Sequence, residues 1–189
     1  MAEFWRDGNA FPHYQSQRGR IWRYDDVSEN NMSLAASVPQ LRLTLTPQGV
    51  LQYGPAGPRP ATTGSAGMDL RACIDAPATL MPGERRAMPA GMAMELTESG
   101  LAGFVFSRSG LGAKDGLVVA QGVGVIDPDY RGEIVVFLLN TSQEPRTVSP
   151  GDRIAQLVVM PVRLPEIAVV DALNETSRGD GGFGHTGTR

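Results

Sequence analysis

Short segments of alternating apolar and polar residues dominate the chain from residue 40 onward. The first of them, Leu-Arg-Leu-Thr-Leu-Thr at 41–46, places a leucine at every second position, as a half-buried strand requires. Similar segments predict further strands at residues 66–74, 91–96, 102–106, 116–120, 133–140, 146–148, 153–162 and 167–170. Only residues 108–114 have the composition of a helical turn or two. The pattern therefore predicts an all-β fold, either a barrel or a double-sheet jelly roll.

Turn-forming residues separate these segments. Met-Pro-Gly-Glu at 81–84, Pro128-Asp129 and Ser-Pro-Gly-Asp at 149–152 are typical of tight turns, and residues 53–60 hold two glycines and three prolines. The exposed strand edges and the long segment after Pro165 suggest that subunits exchange terminal segments. We predict a β-rich core at residues 32–165 and a C-terminal arm at residues 166–189.

Residues 1–31 differ from the rest of the chain. They contain half of its twelve aromatic residues, including both tryptophans, and show neither a strand nor a helix period. We interpret them as an extension outside the core fold that docks through its aromatic side chains. The alternative that Met32 is the native start stays open at this point.

Composition limits the classes of function. A net charge of −3 argues against a general nucleic-acid binder, although a few local cations suffice for a small phosphorylated ligand. The single cysteine, Cys73, excludes an intrachain disulfide framework, and we interpret it as a small buried residue rather than a nucleophile. Since neither a membrane span nor a secretory signal is recognisable, the sequence predicts a cytoplasmic protein without a membrane partner.

The C-terminal tail carries groups suited to a nucleotide. Five glycines among residues 179–187 prevent a stable helix or strand but allow backbone N–H groups to approach a ligand closely. Arg178 offers a planar fork for phosphate oxygens, and the ring of Phe183 can stack on a base. We interpret the tail as a flexible lid that closes on a nucleotide, against the alternative of a frayed terminus without function.

Two internal segments also have the composition of a nucleotide site. Ser-Arg-Ser-Gly at 107–110 places a cation, hydroxyl groups and a glycine amide side by side, as phosphate oxygens require. In Gly-Val-Ile-Asp-Pro-Asp-Tyr at 124–130, Asp127 is a candidate base for a water and Tyr130 a candidate platform for a sugar. Taken alone, each segment is also explained as an ordinary turn.

Two strands add further candidates. Asp69 and Arg71 share one face of a predicted strand, as a surface ion pair or as part of a site. Gln156 follows Arg153 in Gly-Asp-Arg-Ile-Ala-Gln at 151–156. By itself, each of these patterns is more typical of structure than of function.

In this order, the five segments closely resemble the five motifs of the trimeric deoxyuridine triphosphatases (dUTPases), over residues 41–189. The resemblance implies a jelly-roll-like fold, a homotrimer whose subunits share active sites, and Mg²⁺-dependent hydrolysis of dUTP to dUMP and pyrophosphate. Such an enzyme lowers dUTP, prevents incorporation of uracil into DNA and supplies dUMP for thymidylate synthesis.

The resemblance also implies roles for individual residues. Asp127 is expected to be the general base, and Tyr130 to exclude a 2′-hydroxyl by packing on the deoxyribose. Asp69 is expected near the hydrated Mg²⁺ or as support for the site. The remaining expected substrate contacts are with the phosphates (Arg108, Ser109, Gly110, Gln156, Arg178), with uracil through a hairpin at about 118–127 and its neighbour (Gln121, Val125, Ile126, Val135), and in the lid (Phe183, Gly184).

Two rival functions fit less well. The related dCTP deaminases resemble this chain in fold, but they need a glutamate where Phe137 stands, and phenylalanine cannot transfer a proton. A nucleotide sensor without catalysis would not need Asp127, Arg108 and Arg178 together. A second, regulatory role of residues 1–31 stays open.

Overall fold

Antiparallel strands are the main regular elements of residues 40–182, the part of the chain that the computed structural model describes. They are β1 (Leu41–Leu45), β2 (Met68–Arg71), β3 (Ala78–Leu80), β4 (Arg85–Pro89), β5 (Met92–Leu96), β6 (Leu101–Phe106), β7 (Leu117–Val119), β8 (Val123–Ile126), β9 (Val135–Asn140), β10 (Arg146–Val148) and β11 (Arg153–Pro161). A seven-residue helix, α1 (Pro47–Tyr53), follows β1, and a π-helical turn (Leu111–Asp115) precedes β7.

The strands form a four-stranded sheet in the order β2-β11-β6-β8, a three-stranded sheet in the order β4-β9-β7, and the pairs β1-β5 and β3-β10. Every pairing between these strands is antiparallel. The all-β fold class predicted from the sequence is confirmed.

One hydrophobic core lies beneath these sheets. In β5, the side chains of Met92, Met94 and Leu96 are buried while the residues between them are partly exposed, as a period of two requires. Leu70, Leu138 and other core residues are completely buried. Burying a side chain of this size contributes about 1.5–3 kcal/mol, so the shared core holds the short strands together.

Helix α1 corrects the prediction that only residues 108–114 form helical structure. The side chain of Thr46 caps α1 by accepting a hydrogen bond from the Gly49 amide at 3.0 Å, and Pro47 occupies the first turn. Gly54 ends the helix with a φ of 74°. The leucine alternation before Thr46 obscured these local start and stop signals.

Gly49 of α1 packs directly on Gly91, in the turn between β4 and β5. A Cβ atom on Gly49 would overlap the Gly91 carbonyl oxygen, and one on Gly91 would lie 2.7 Å from the Gly49 Cα. Gly91 also has a φ of 69°, which disfavours any other residue. The two backbones approach this closely only because both positions are glycine.

Other differences from the predicted elements have similar local causes. Strands β3, β4 and β8 were not predicted as strands. Strand β3 has only three residues, and β4 begins with two exposed arginines, Arg85 and Arg86, which hide its alternation. Strand β8 lies within the hairpin predicted at about 118–127. The strand predicted at 167–170 is wrong. Ile167 and Val169 are 87% and 96% exposed, and alternation alone cannot form a strand without a neighbouring edge.

A buried polar side chain closes the β9–β10 connection. The Asn140 amide nitrogen donates to the carbonyl oxygens of Leu80 and Glu144, at 2.9 and 2.8 Å. Its oxygen accepts from the Ser142 amide and hydroxyl, at 2.9 and 2.7 Å. Asn140 is fully buried, and so is its hydrogen bond to Leu80, whose carbonyl has no solvent to replace this donor.

We expect Asn140→Ala to lower the free energy of unfolding by about 2–4 kcal/mol, because it removes four hydrogen bonds of a buried amide, among them the one to the buried Leu80 carbonyl. Urea unfolding measures the change. The exposed neighbour Thr141, whose hydroxyl donates to the Gly116 carbonyl, is the matched control, and Thr141→Ala should cost less than about 1 kcal/mol. Equal losses in the two variants would contradict the role assigned to Asn140.

Candidate active site

Strand β11 brings three of the sequence segments together, because it lies between β2 and β6. Gln156 of β11 is in register with Asp69 of β2 on one side and with Phe106 of β6 on the other. The Gln156 side chain donates to the Ser107 carbonyl oxygen at 3.1 Å. Residues far apart in the chain therefore meet at one end of the four-stranded sheet.

An acidic side chain organises the arginines at this end. The Asp69 carboxylate accepts from Arg108 Nε at 2.8 Å and from Arg153 Nη1 at 3.1 Å, one contact on each oxygen. Arg108 Nη1 also donates to the Arg153 carbonyl oxygen at 3.2 Å. The ion pair considered between Asp69 and Arg71 is absent from the described contacts, since Arg71 donates to the Gly151 carbonyl instead.

The loop after β6 presents the remaining phosphate candidates. The Ser107 hydroxyl accepts from the Val119 amide at 2.8 Å, which attaches the loop to β7. Ser109 and Gly110 are exposed where the π-helical turn begins. We name the set Asp69, Arg108, Ser109, Gly110, Arg153 and Gln156 the arginine cluster.

A separate cleft of about 370 Å³ collects the predicted base and sugar contacts. We name it the hairpin cleft, because the β7–β8 hairpin forms one wall and β9 the other. The predicted residues that line it are Gln121, Val125, Ile126, Asp127, Tyr130 and Val135. Phe137 and Glu133, which the sequence did not single out for binding, line it as well.

The turn after β8 holds Asp127 and Tyr130. The Tyr130 amide donates to the Asp127 carbonyl at 3.1 Å, and the Tyr130 hydroxyl donates to the Glu133 carbonyl at 3.1 Å. Asp127 is exposed to solvent. The carboxylate is therefore accessible to a water molecule and to a ligand.

Gly132 makes room for the Tyr130 ring. A Cβ atom at Gly132 would overlap the Tyr130 hydroxyl oxygen and lie 2.6 Å from Cζ. Glu133 Oε1 accepts from the Gly91 amide at 2.8 Å and ties the end of the turn to the β4–β5 connection. The sequence did not predict the roles of Gly132 and Glu133. A glycine two residues after a tyrosine is a weak signal, and the partner of Glu133 is 42 residues away in the chain.

The arginine cluster and Asp127 lie at opposite ends of the β6–β8 pair. Phe106, next to the arginine cluster, is in register with Val123, whereas Gly103 is in register with Ile126, next to Asp127. The three residues from Gly103 to Phe106 span about 10 Å of strand. Arg108 and Asp127 of one chain are therefore not adjacent.

The described part of the C-terminal arm does not pack against the core, and residues 163–180 are exposed. Arg178 Nε donates locally to the Gly181 carbonyl oxygen at 2.9 Å, and Leu164 and Leu173 are 90% and 87% exposed. Phe183 and Gly184, predicted lid contacts, lie outside the described residues, as does the predicted extension at 1–31.

Cys73 is buried, as predicted, and it is not an activated nucleophile. Burial raises the pKa of its thiol to about 11, and the nearby Glu133 carboxylate acts in the same direction. Burial likewise raises the pKa of Tyr53 to about 12. Both groups therefore stay protonated near neutral pH.

Within residues 40–182, no helix combines the length and apolar character needed to cross a membrane. The same residues contain no group of three or more histidine, cysteine, aspartate or glutamate side chains that could hold a metal ion.

Comparison with known proteins explains the order of these segments. Residues 56–187 match the family model described as dUTPase. The chain belongs to the dUTPase family. It is 53% identical over 133 residues to a deoxyuridine 5'-triphosphate nucleotidohydrolase of Desulfitobacterium hafniense, covering 70% of this chain and 88% of that one. A relative of the same name from Idiomarina loihiensis is 50% identical over 130 residues, covering 69% and 86%. The family predicted from the sequence is confirmed.

Solved dUTPase structures share the fold. A variant of the Staphylococcus bacteriophage 80alpha dUTPase, solved with dUpNHpp, has a TM-score of 0.67 at 23% identity, covering 78% of this chain and 98% of that one. A variant of the dUTPase from phage phi11 of S. aureus, for which the coordination of a structural Mg(II) ion is described, has a TM-score of 0.61 at 21% identity, covering 72% and 99%.

Proposed function

We propose that this dUTPase hydrolyses dUTP to dUMP and pyrophosphate with Asp127 as general base, in sites shared between the subunits of a trimer. Activity on dUTP is the property for which its relatives are named, and the sequence prediction of that activity is confirmed. The observation that carries the mechanism is the hairpin cleft, where Asp127 and Tyr130 face one ligand-sized space. The reaction lowers dUTP, keeps uracil out of DNA and supplies dUMP for thymidylate synthesis.

The Asp127 carboxylate accepts a proton from the attacking water. Its exposure at the mouth of the cleft supports this role, because the water must reach both the base and the α-phosphorus. Attack at the α-phosphorus releases pyrophosphate, and no covalent intermediate with the protein is needed. The protonated, buried Cys73 is consistent with direct attack by water.

The hairpin reads the base. Gln121, Val125, Ile126 and Val135 line the cleft, where backbone groups of the paired strands can pair with the uracil edge. Cytosine would leave such groups unpaired, which discriminates strongly between the two bases. Tyr130 packs on the deoxyribose and leaves no space for a 2′-hydroxyl.

The arginine cluster binds the phosphate chain. Arg108 is held by Asp69, so its guanidinium is fixed in direction before the nucleotide arrives. Ser109, Gly110 and Gln156 add neutral hydrogen-bonding groups for the phosphate oxygens. Arg178, Phe183 and Gly184 of the tail complete the site by closing over the nucleotide.

The separation of Arg108 from Asp127 supports a shared site. The two residues lie at opposite ends of the same strand pair in a single chain, so the arginine cluster of one subunit serves the Asp127 of another. The exposed arm after β11 supports a third contribution, since its apolar residues have no covering surface in their own described chain. Three chains with cyclic symmetry give three equivalent sites.

The residues present fit a Mg²⁺ ion that is held mainly by the nucleotide. Mg²⁺ keeps several waters and typically takes one or two carboxylates together with substrate phosphates. Both Asp69 oxygens contact arginines, so Asp69 fits a supporting place near the ion rather than a cage. When bound, the ion neutralises charge on the phosphates. Cytoplasmic localisation stays a prediction from the sequence.

Release of pyrophosphate from dUTP, dCTP, dTTP and UTP, with and without Mg²⁺, tests the proposed function. We expect release from dUTP alone, dependent on the metal, because the cleft selects both base and sugar. Release from dCTP at a comparable rate would contradict the uracil site. Absence of release from dUTP would refute the function.

We expect Asp127→Asn to lower kcat by at least about 100-fold while retaining dUTP binding, because a general base contributes on the order of 10²–10⁴. Calorimetry measures binding, and single-turnover assays measure the rate. Near-normal turnover would refute the role of Asp127.

Mixing this variant with Arg108→Gln subunits tests site sharing. Hybrid trimers contain some sites free of both substitutions, so the mixture should regain activity that neither variant has alone. A mixture that exchanges subunits but stays inactive would place Asp127 and Arg108 in a site within one chain.

We expect Gly132→Ala to weaken discrimination between dUTP and UTP, because the new methyl group displaces the Tyr130 ring. The measurement is the ratio of kcat/KM for the two nucleotides. Gly64→Ala is the control, since nothing lies within 4 Å of a Cβ there. An unchanged ratio in Gly132→Ala would contradict the proposal that the Tyr130 ring excludes the 2′-hydroxyl.

A further inference from the structure

The side chain of Arg131 joins the Asp127 turn to strand β5. Its Nη1 donates to the carbonyl oxygens of Pro128 and Tyr130, at 2.7 and 3.1 Å. Its Nη2 donates to Glu95 Oε1 at 3.2 Å. One guanidinium therefore contacts the turn backbone at two points and a neighbouring strand at a third.

The anchor at the other end lies on a paired strand. Glu95 is the fourth of the five residues of β5, and its Oε2 accepts from Arg42 Nη1 at 3.3 Å. Arg42 and Glu95 are in register across the β1–β5 pair. The carboxylate that receives Arg131 therefore projects from a strand whose backbone pairing does not involve the turn.

These contacts do little for the stability of the fold. The side chains of Arg131 and Glu95 are 53% and 39% exposed, and exposed ion pairs contribute at most a small stabilisation. Their effect is geometric, because a planar guanidinium with several donors fixes the direction between its acceptors. The acceptors are the carbonyl groups that follow Asp127 and carry Tyr130.

We propose that Arg131, anchored on Glu95, is a positioning residue that fixes the Asp127 carboxylate and the Tyr130 ring relative to each other. The proposal rests on the proposed function, in which the first activates water and the second packs on the sugar. A misplacement of about 1 Å at a reacting centre can cost about 100-fold in rate, so a tether of the turn backbone affects turnover more than binding.

The test compares Arg131→Ala with Arg42→Ala, which removes the other arginine on Glu95 and leaves the turn untouched. We expect Arg131→Ala to lower kcat for dUTP by about tenfold or more, with KM within about threefold and weaker discrimination against UTP. The melting temperature should stay within about 2 °C of the parent, since the side chain is half exposed. Arg42→Ala should retain kcat within about twofold.

A double substitution separates anchoring from a local effect. If Arg131 acts through Glu95, the variant carrying both Glu95→Ala and Arg131→Ala turns over no more slowly than Arg131→Ala alone. Fully multiplicative losses, an equal loss in Arg42→Ala, or a kcat of Arg131→Ala within twofold of the parent would each overturn the proposal. A parent protein that releases no pyrophosphate from dUTP would instead refute the proposed function.

Discussion

The close approach of Gly49 to Gly91 is the constraint on which the site depends. Neither position has room for a Cβ atom, so helix α1 sits directly on the β4–β5 turn. The Gly91 carbonyl accepts from the Thr46 amide at 2.9 Å, and the Gly91 amide donates to Glu133 at 2.8 Å. A single tight turn therefore holds the start of α1 on one side and the end of the Asp127 turn on the other.

Backbone hydrogen bonds connect this turn to Ile134, which lines the hairpin cleft. The Ala90 amide donates to the Ile134 carbonyl, and the Ile134 amide donates to the Met92 carbonyl, both at 2.8 Å. The Tyr53 hydroxyl donates to the Ala90 carbonyl at 3.0 Å and adds α1 to the same network. Because Ile134 is buried, this backbone cannot shift without disturbing the core, and the exposed Asp127 is presented on a rigid base.

Much of the candidate site could be predicted from the sequence, because motif residues carry their chemistry with them. Gln121, Asp127 and Tyr130 meet in one cleft, as their motif order implied. Gly132 and Arg131 were missed, because their importance depends on a ring and on a strand that folding brings beside them. The predicted strand at 167–170 failed for the corresponding reason, since its alternation found no partner edge in the described chain.

The sequence by itself determined most of the strands, the tight turns at 81–84, 128–129 and 149–152, and that the chain carries the dUTPase motifs in order. These features depend on local backbone preferences and on the period of the apolar residues, which are properties of neighbouring positions. Only the tertiary structure decided that Asp69 binds Arg108 and Arg153 rather than Arg71, and that the arginine cluster lies away from Asp127. Alternation fixes the face on which a side chain lies, whereas strand order and register decide what stands opposite it.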